Sequence, residues 1–237
     1  MNIPRLWLPR AAPMHLMLGA MVLVLIQCLA AVEWQRQQPF FDLPLRLQQG
    51  RILLQPTQEA PLPIQSIQLA GQTLPLPPEF LMPDPDHFAS YADLNGFLAR
   101  QQQLHDLLQQ TPAVTLLATD GSRHAFERQA KSLLQMPVEF WIYQAFGALA
   151  LLVGTAFWAF HRGQPATRIL ALAGIGFALM EWTMSLYATR ELALAETSFR
   201  HLLALNHFGG MLFASSTIGL LMFQPVSQPV SQPGSRP

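Results

Sequence analysis

Charge is what this chain has least of. Of its 237 residues, 12% are Asp, Glu, Lys or Arg, about half the share of an ordinary soluble domain, while 51% are hydrophobic. So few charges argue against a purely soluble globular enzyme of this size, and the apolar content excludes a disordered chain. The charges also balance, 14 basic against 14 acidic, which removes any global case for nucleic-acid binding. Cysteine is nearly missing: Cys28 stands alone, excluding an intramolecular disulfide framework and a cysteine-cluster metal site. Enzyme signatures are missing too, with no glycine-rich phosphate loop, His-Glu-x-x-His, Gly-x-Ser-x-Gly or Cys-x-x-Cys. Neither a catalytic residue nor a cofactor is therefore expected. The histidines His15, His105, His124, His161 and His201 are dispersed and suggest no metal site. Asp84, Asp86 and His87 share a Pro-Asp-Pro-Asp-His turn that could loosely hold a cation. The plainer reading is that its acids end one segment and cap the next.

What the chain does have is long apolar runs. Residues 14–32, 140–160, 169–188 and 202–223 are each long enough to cross a hydrocarbon core of ~30 Å as a helix. None contains Lys, Arg or Asp, and Glu181 is their only acid. Hydropathy thus predicts four transmembrane helices. The first run, behind Arg5 and Arg10, also has the layout of a signal peptide. It exceeds the usual apolar length of such peptides, about 7–15 residues, and Gln27 before Cys28 argues against lipoprotein processing. An uncleaved anchor is expected, with cleavage near Ala30-Ala31 as the alternative.

Orientation follows from the basic residues. Arg5 and Arg10 precede the first span, and Arg162 and Arg168 flank the short loop after the second. Residues 33–139 hold seven basic and eleven acidic residues, and the loop after the third span sets Arg190 and Arg200 against Glu191 and Glu196. Both termini are then cytoplasmic, the N-terminus being residues 1–13, and the 33–139 segment lies outside the membrane on the other face.

Segment 33–139 is long enough for one small domain. Its first half is rich in proline, which predicts extended, turn-rich chain with short strands at 51–54 and 64–70. Its second half predicts a helix over 90–110, begun by a capping box at Ser90 and Asp93. Tyr91, Leu94, Phe97, Leu98, Leu104, Leu107 and Leu108 form its apolar face, and Thr111-Pro112 ends it. A strand at 114–118, a tight turn at Asp120-Gly121 and a return strand at 124–129 follow. The expected fold is thus a membrane α-helical bundle of four transmembrane helices carrying a small α+β extracytoplasmic domain. Residues 224–237 repeat Pro-Val-Ser-Gln and read as a disordered Pro/Ser/Gln tail.

These parts together form a pattern. A first span, a proline-containing domain, the helix–strand–Asp-Gly–strand unit and the run Met136-Pro137-Val138-Glu139-Phe140-Trp141 occur in order. The chain resembles the N-terminal sensory input region of bacterial membrane histidine kinases whose periplasmic part is a degenerate PDZ-like domain. Gln68-Leu69-Ala70-Gly71 with the later helix resembles the second half of that domain. Gly154, Arg168, Arg190-Glu191-Leu192 and Asn206-His207 resemble the membrane block. The resemblance spans roughly residues 14–223. It implies a signal-transduction module of a two-component system in the bacterial inner (cytoplasmic) membrane, with a periplasmic peptide or protein ligand as candidate partner. The chain departs from the family where the kinase core would stand, since 14 residues follow Phe223. Output would then require a homodimer or a separate kinase subunit. The alternative is a structural or accessory subunit of a bacterial envelope complex.

Within the spans, Glu181, Asn206 and His207 are the candidate polar site. A carboxylate deep in a spanning helix is costly, so it faces the bundle or water and often has a role. Glu181 lies level with His207 if the third and fourth spans are antiparallel, allowing a carboxylate–imidazole pair. The bland reading is a carboxyl satisfied by Thr183 or Ser185 and an interfacial histidine. Ala150 with Gly154, Gly174 with Ala178, and Gly210 with Ala214 repeat the spacing that permits close helix packing, within the bundle or across a dimer.

Overall fold

The computed structural model describes residues 13–55, 60–84 and 88–222. The N-terminal segment up to residue 12, most of the Pro-Asp-Pro-Asp-His turn and the repeat tail lie outside the described residues. The elements run α1 (Pro13–Gln37), β1 (Leu45–Gln48), β2 (Arg51–Leu54), β3 (Leu62–Leu69), β4 (Gln72–Pro75), α2 (Tyr91–Gln110), β5 (Ala113–Ala118), β6 (Arg123–Glu127), α3 (Val138–Phe160), α4 (Pro165–Tyr187) and α5 (Glu196–Met222).

Helices α1, α3 and α4 are long and apolar enough to cross a membrane. Four such helices were expected. α5 has the length, at 27 residues, but Asn206, His207, Ser215, Ser216 and Thr217 dilute its apolar character. The helix starts carry their own signals. Pro137 is the N-cap of α3 and Pro165 opens the first turn of α4, where a missing N–H costs nothing. The α1 helix continues past the apolar run, from residue 32 to Gln37, five polar-rich residues further into the junction with the domain.

α4 is the centre of the helical part, packed on α3 along one side and α5 along the other. The α3 side is close because it lacks side chains: a Cβ on Gly174 would lie 2.5 Å from the Ala150 carbonyl oxygen. The α5 side is the same, with a Cβ on Gly209 falling 2.7 Å from the Gly176 carbonyl oxygen. Gly210 was the glycine expected at that contact, yet it meets only Met180 Sδ, at 3.9 Å. The α5 stripe is thus shifted by one residue, which turns the helix by about 100°.

The domain between α1 and α3 is a curled antiparallel sheet closed by α2. Its strand order is β1-β2-β3-β5-β6, with β4 also on β3. β3 organises it, pairing β2 through Leu62 and Pro63, and β4 and β5 on opposite edges through Ser66, Ile67 and Gln68. In the proline-rich half the strands expected at 51–54 and 64–70 are present as β2 and β3, and β1 and β4, which were not expected, bring this half to four of the six strands. Its prolines fall where the missing donor does little harm: Pro44 precedes β1, Pro63 is near the start of β3 and Pro75 ends β4. α2 is as expected, with Ser90 Oγ accepting the Asp93 N–H at 3.1 Å. Tyr91, expected on its apolar face, is exposed because it sits in the first turn, before the helix reaches the sheet.

Candidate functional site

The residues that join the two halves come from the connection between α4 and α5. Leu192 and Ala193 are buried in the sheet core with Phe41, Ile67, Leu104 and Leu116. Leu194 and Tyr187 are buried with Phe97 and Leu98 of α2 and Phe199 of α5. Residues 188–195 therefore form a clasp whose side chains complete the core of a domain encoded more than fifty residues earlier.

Polar groups fix the clasp. The Glu191 carboxylate accepts the main-chain N–H groups of Phe41 at 2.8 Å and Leu43 at 2.7 Å, capping the chain between α1 and β1. Gln101 on α2, 0% exposed, accepts the Leu194 N–H at 3.1 Å and donates to the Leu192 carbonyl at 3.4 Å. One amide side chain thus serves the loop as a strand partner would. Gln102 accepts the Glu196 N–H at 2.7 Å, giving α5 a cap supplied by α2. Arg190 donates to the carbonyls of Tyr187 at 2.6 Å and Met82 at 2.8 Å, and its guanidinium lies 4.9 Å from the Phe199 ring centroid.

A second set of buried polar groups leads from the clasp into the helices. Lys131, the chain's single lysine, donates to Gln35 Oε1 at 3.1 Å and stands 5.3 Å from the Phe40 ring centroid. Gln35 on α1 donates in turn to Thr189 Oγ1 at 3.0 Å and to the Leu186 carbonyl at 3.2 Å, tying α1 to the end of α4. One turn deeper, Gln144 of α3 donates to Ser185 Oγ of α4 at 2.8 Å. Burial shapes the charges here. It lowers the Lys131 ammonium, with Glu191 acting in the opposite sense, and pushes the Arg190 guanidinium down to about 10. It raises the Glu191 carboxyl, against the pull of its two N–H donors and Lys131.

The three residues singled out from the sequence are not brought together. Asn206 on α5 donates to the Met180 carbonyl at 2.9 Å and to Thr183 Oγ1 at 3.3 Å, a direct cross-link to α4. Glu181 is buried and shares the helical phase of Gly174 and Ser185, which face α3, with Tyr143 as an electrostatic neighbour. His207 is exposed, its Nδ1 2.8 Å from the Leu203 carbonyl of its own helix. Glu181 is on the α3 side of α4, whereas α5, which carries His207, packs on its other side; among the described residues no ion pair or hydrogen bond joins Glu181 to His207.

Among the described residues no cluster of three His, Cys, Asp or Glu side chains could hold a metal ion. Comparison with protein-family models, curated proteins and solved structures found no match.

Proposed function

We propose that the chain is a membrane signal-transduction input module, in which an event at the sheet domain is passed to the helices through the clasp. The observation that carries this reading is the burial of Leu192, Ala193 and Leu194 in the domain cores. A change in how the sheet seats those side chains must move the end of α4 or the start of α5. These two helices pack on each other through Gly176 and Gly209, a contact suited to small sliding shifts.

In this reading α5 is a fourth span, supported by its packing along α4 and by the exposed Phe208, Met211, Ile218 and Leu221 on its outer side. Both termini then lie in the cytoplasm of a bacterium and the sheet domain in the periplasm, in keeping with the positive-inside pattern. The domain is read as a degenerate PDZ-like module, its peptide or protein ligand engaging a free strand edge. Output passes to a second copy or to a separate kinase subunit. A rigid clasp also suits a structural subunit of an envelope complex, and motion separates the two.

The test is a distance measurement across the far end of the bundle. The full chain in nanodiscs, with Cys28→Ser and spin labels at Gly163 and Met222, is compared with the same chain carrying Leu192→Ala. An input module shifts the distance distribution by about 1–2 Å or more, the scale of helix displacements in switching proteins. An unchanged distribution contradicts signalling and favours the structural subunit.

A further inference from the structure

Two cations at the junction, Lys131 buried and Arg190 half-buried, have no carboxylate within salt-bridge distance among the described residues. Lys131 is 5% exposed, and its ammonium, with three protons to donate, makes one hydrogen bond, to Gln35. Arg190 donates only to main-chain carbonyls, and its Nε is buried with no hydrogen-bond partner. Among the described residues no carboxylate lies within 4 Å of either. Charges withdrawn from water are ordinarily paired, because desolvation penalises one left alone. Glu191 acts on Lys131 from beyond salt-bridge distance, its oxygens turned to the N–H groups of Phe41 and Leu43.

Both cations line one pocket of about 310 Å³, whose wall also includes Thr189, Leu45, Leu47 and Leu81. Asp42 and Glu191 are the acids on its lining, Asp42 being exposed at the rim. The pocket opens at the ends of the apolar helices, bounded by Pro137, the cap of α3, and Thr189, just past α4. The adjoining surface is not one made for water. Leu134 is 98% exposed, Leu133 and Val138 are exposed beside it, and Trp141 sits on the first turn of α3, where aromatic belts mark the headgroup layer.

We propose that this pocket receives the phosphate of an anionic phospholipid headgroup, held between Lys131 and Arg190, with its acyl chains leaving over Leu133, Leu134 and Val138. The spare protons of Lys131 supply donors that phosphate oxygens need. The pocket volume accommodates a phosphoglycerol group, and the leucines of β1 and Leu81 cover its glycerol backbone. The site rests on the membrane reading alone and requires no signalling role. A bound lipid would bridge the domain and the bundle at the level of the clasp.

The test uses the full chain in detergent, titrated separately with phosphatidylglycerol, phosphatidylcholine and inorganic phosphate. Lipid retention is read by native mass spectrometry and stability by Tm. Phosphatidylglycerol is expected to be retained at one copy per chain and to raise Tm, with phosphatidylcholine and inorganic phosphate doing neither. Lys131→Gln, which keeps a donor for Gln35, should weaken phosphatidylglycerol binding by roughly tenfold, the loss of one charge-assisted hydrogen bond. Leu47→Glu, placed on the half-open rim, should weaken it comparably with little change in lipid-free Tm, and decides the matter if Lys131→Gln folds poorly. Stabilisation by inorganic phosphate alone, equal retention of phosphatidylcholine, or undiminished binding in Leu47→Glu would each overturn the proposal.

Discussion

Glu191 does at the residue scale what a helix cap does for a helix: it ends two unpaired main-chain donors, here across about 150 residues of sequence. A glutamine at that position has one acceptor oxygen where the carboxylate has two, so one buried N–H is orphaned. Glu191→Gln is therefore expected to destabilise the chain by about 1–3 kcal/mol, read from detergent-solubilised unfolding. Its pH profile should change as well. Burial raises the carboxyl above its ordinary value of 4.5, so the folded protein holds the proton more tightly than the unfolded chain. That contribution is fully present below 4.5 and is lost as pH rises through the folded value, giving a fall in Tm that the glutamine variant lacks. Little of this could be read from the sequence. Arg190-Glu191-Leu192 stood out only as part of a resemblance and a charge balance in a short loop. Gln101 looked like an ordinary polar residue of an amphipathic helix, since nothing in a single chain marks which glutamine will meet a distant backbone. Asn206 was singled out as part of a polar site with Glu181, whereas its amide meets the Met180 carbonyl and Thr183 of α4. Depth fixes a residue's level in a helix but not its azimuth against two neighbours, which is why the sequence could not decide a Glu181–His207 pair.

At the scale of elements, periodicity and end signals were enough for most helices. Ser90 and Thr111 bracket α2 as expected, and the strand, Asp-Gly turn and return strand after it are present within a residue or two. The misreading fell on β1 and β4 of the proline-rich half, where proline was weighed as a breaker although strand ends and edges tolerate it. Small-residue spacing located the helix contacts to within one residue, and that residue yields a sharp test. A methyl on Gly209 would press on main-chain atoms of Gly176 and Met180, which cannot step aside, whereas one on Gly210 meets only ordinary space near a flexible Met180 side chain. Gly209→Ala should cost about 1–3 kcal/mol, the range for overpacking a filled contact. Gly210→Ala should be neutral within about 0.5 kcal/mol. Thermal unfolding of the two variants in one detergent gives the comparison, and equal effects would contradict the packing of α4 on α5.

The whole molecule is two folded parts sharing one set of side chains. A domain that takes Leu192 and Ala193 from a loop beyond α4 is incomplete without that loop, which also places Leu194 between α2 and α5. The two parts should therefore open together, in the manner of a single cooperative unit rather than two. Hydrogen exchange followed by mass spectrometry on the full chain in nanodiscs tests this most directly, comparing wild type with Leu192→Asp, a charge placed in the sheet core. The account predicts that amides of β2, β3 and β5 and those at the end of α4 and start of α5 lose protection together, while the middle of α3 keeps its own. Loss confined to the loop, with the sheet as protected as in wild type, would contradict it.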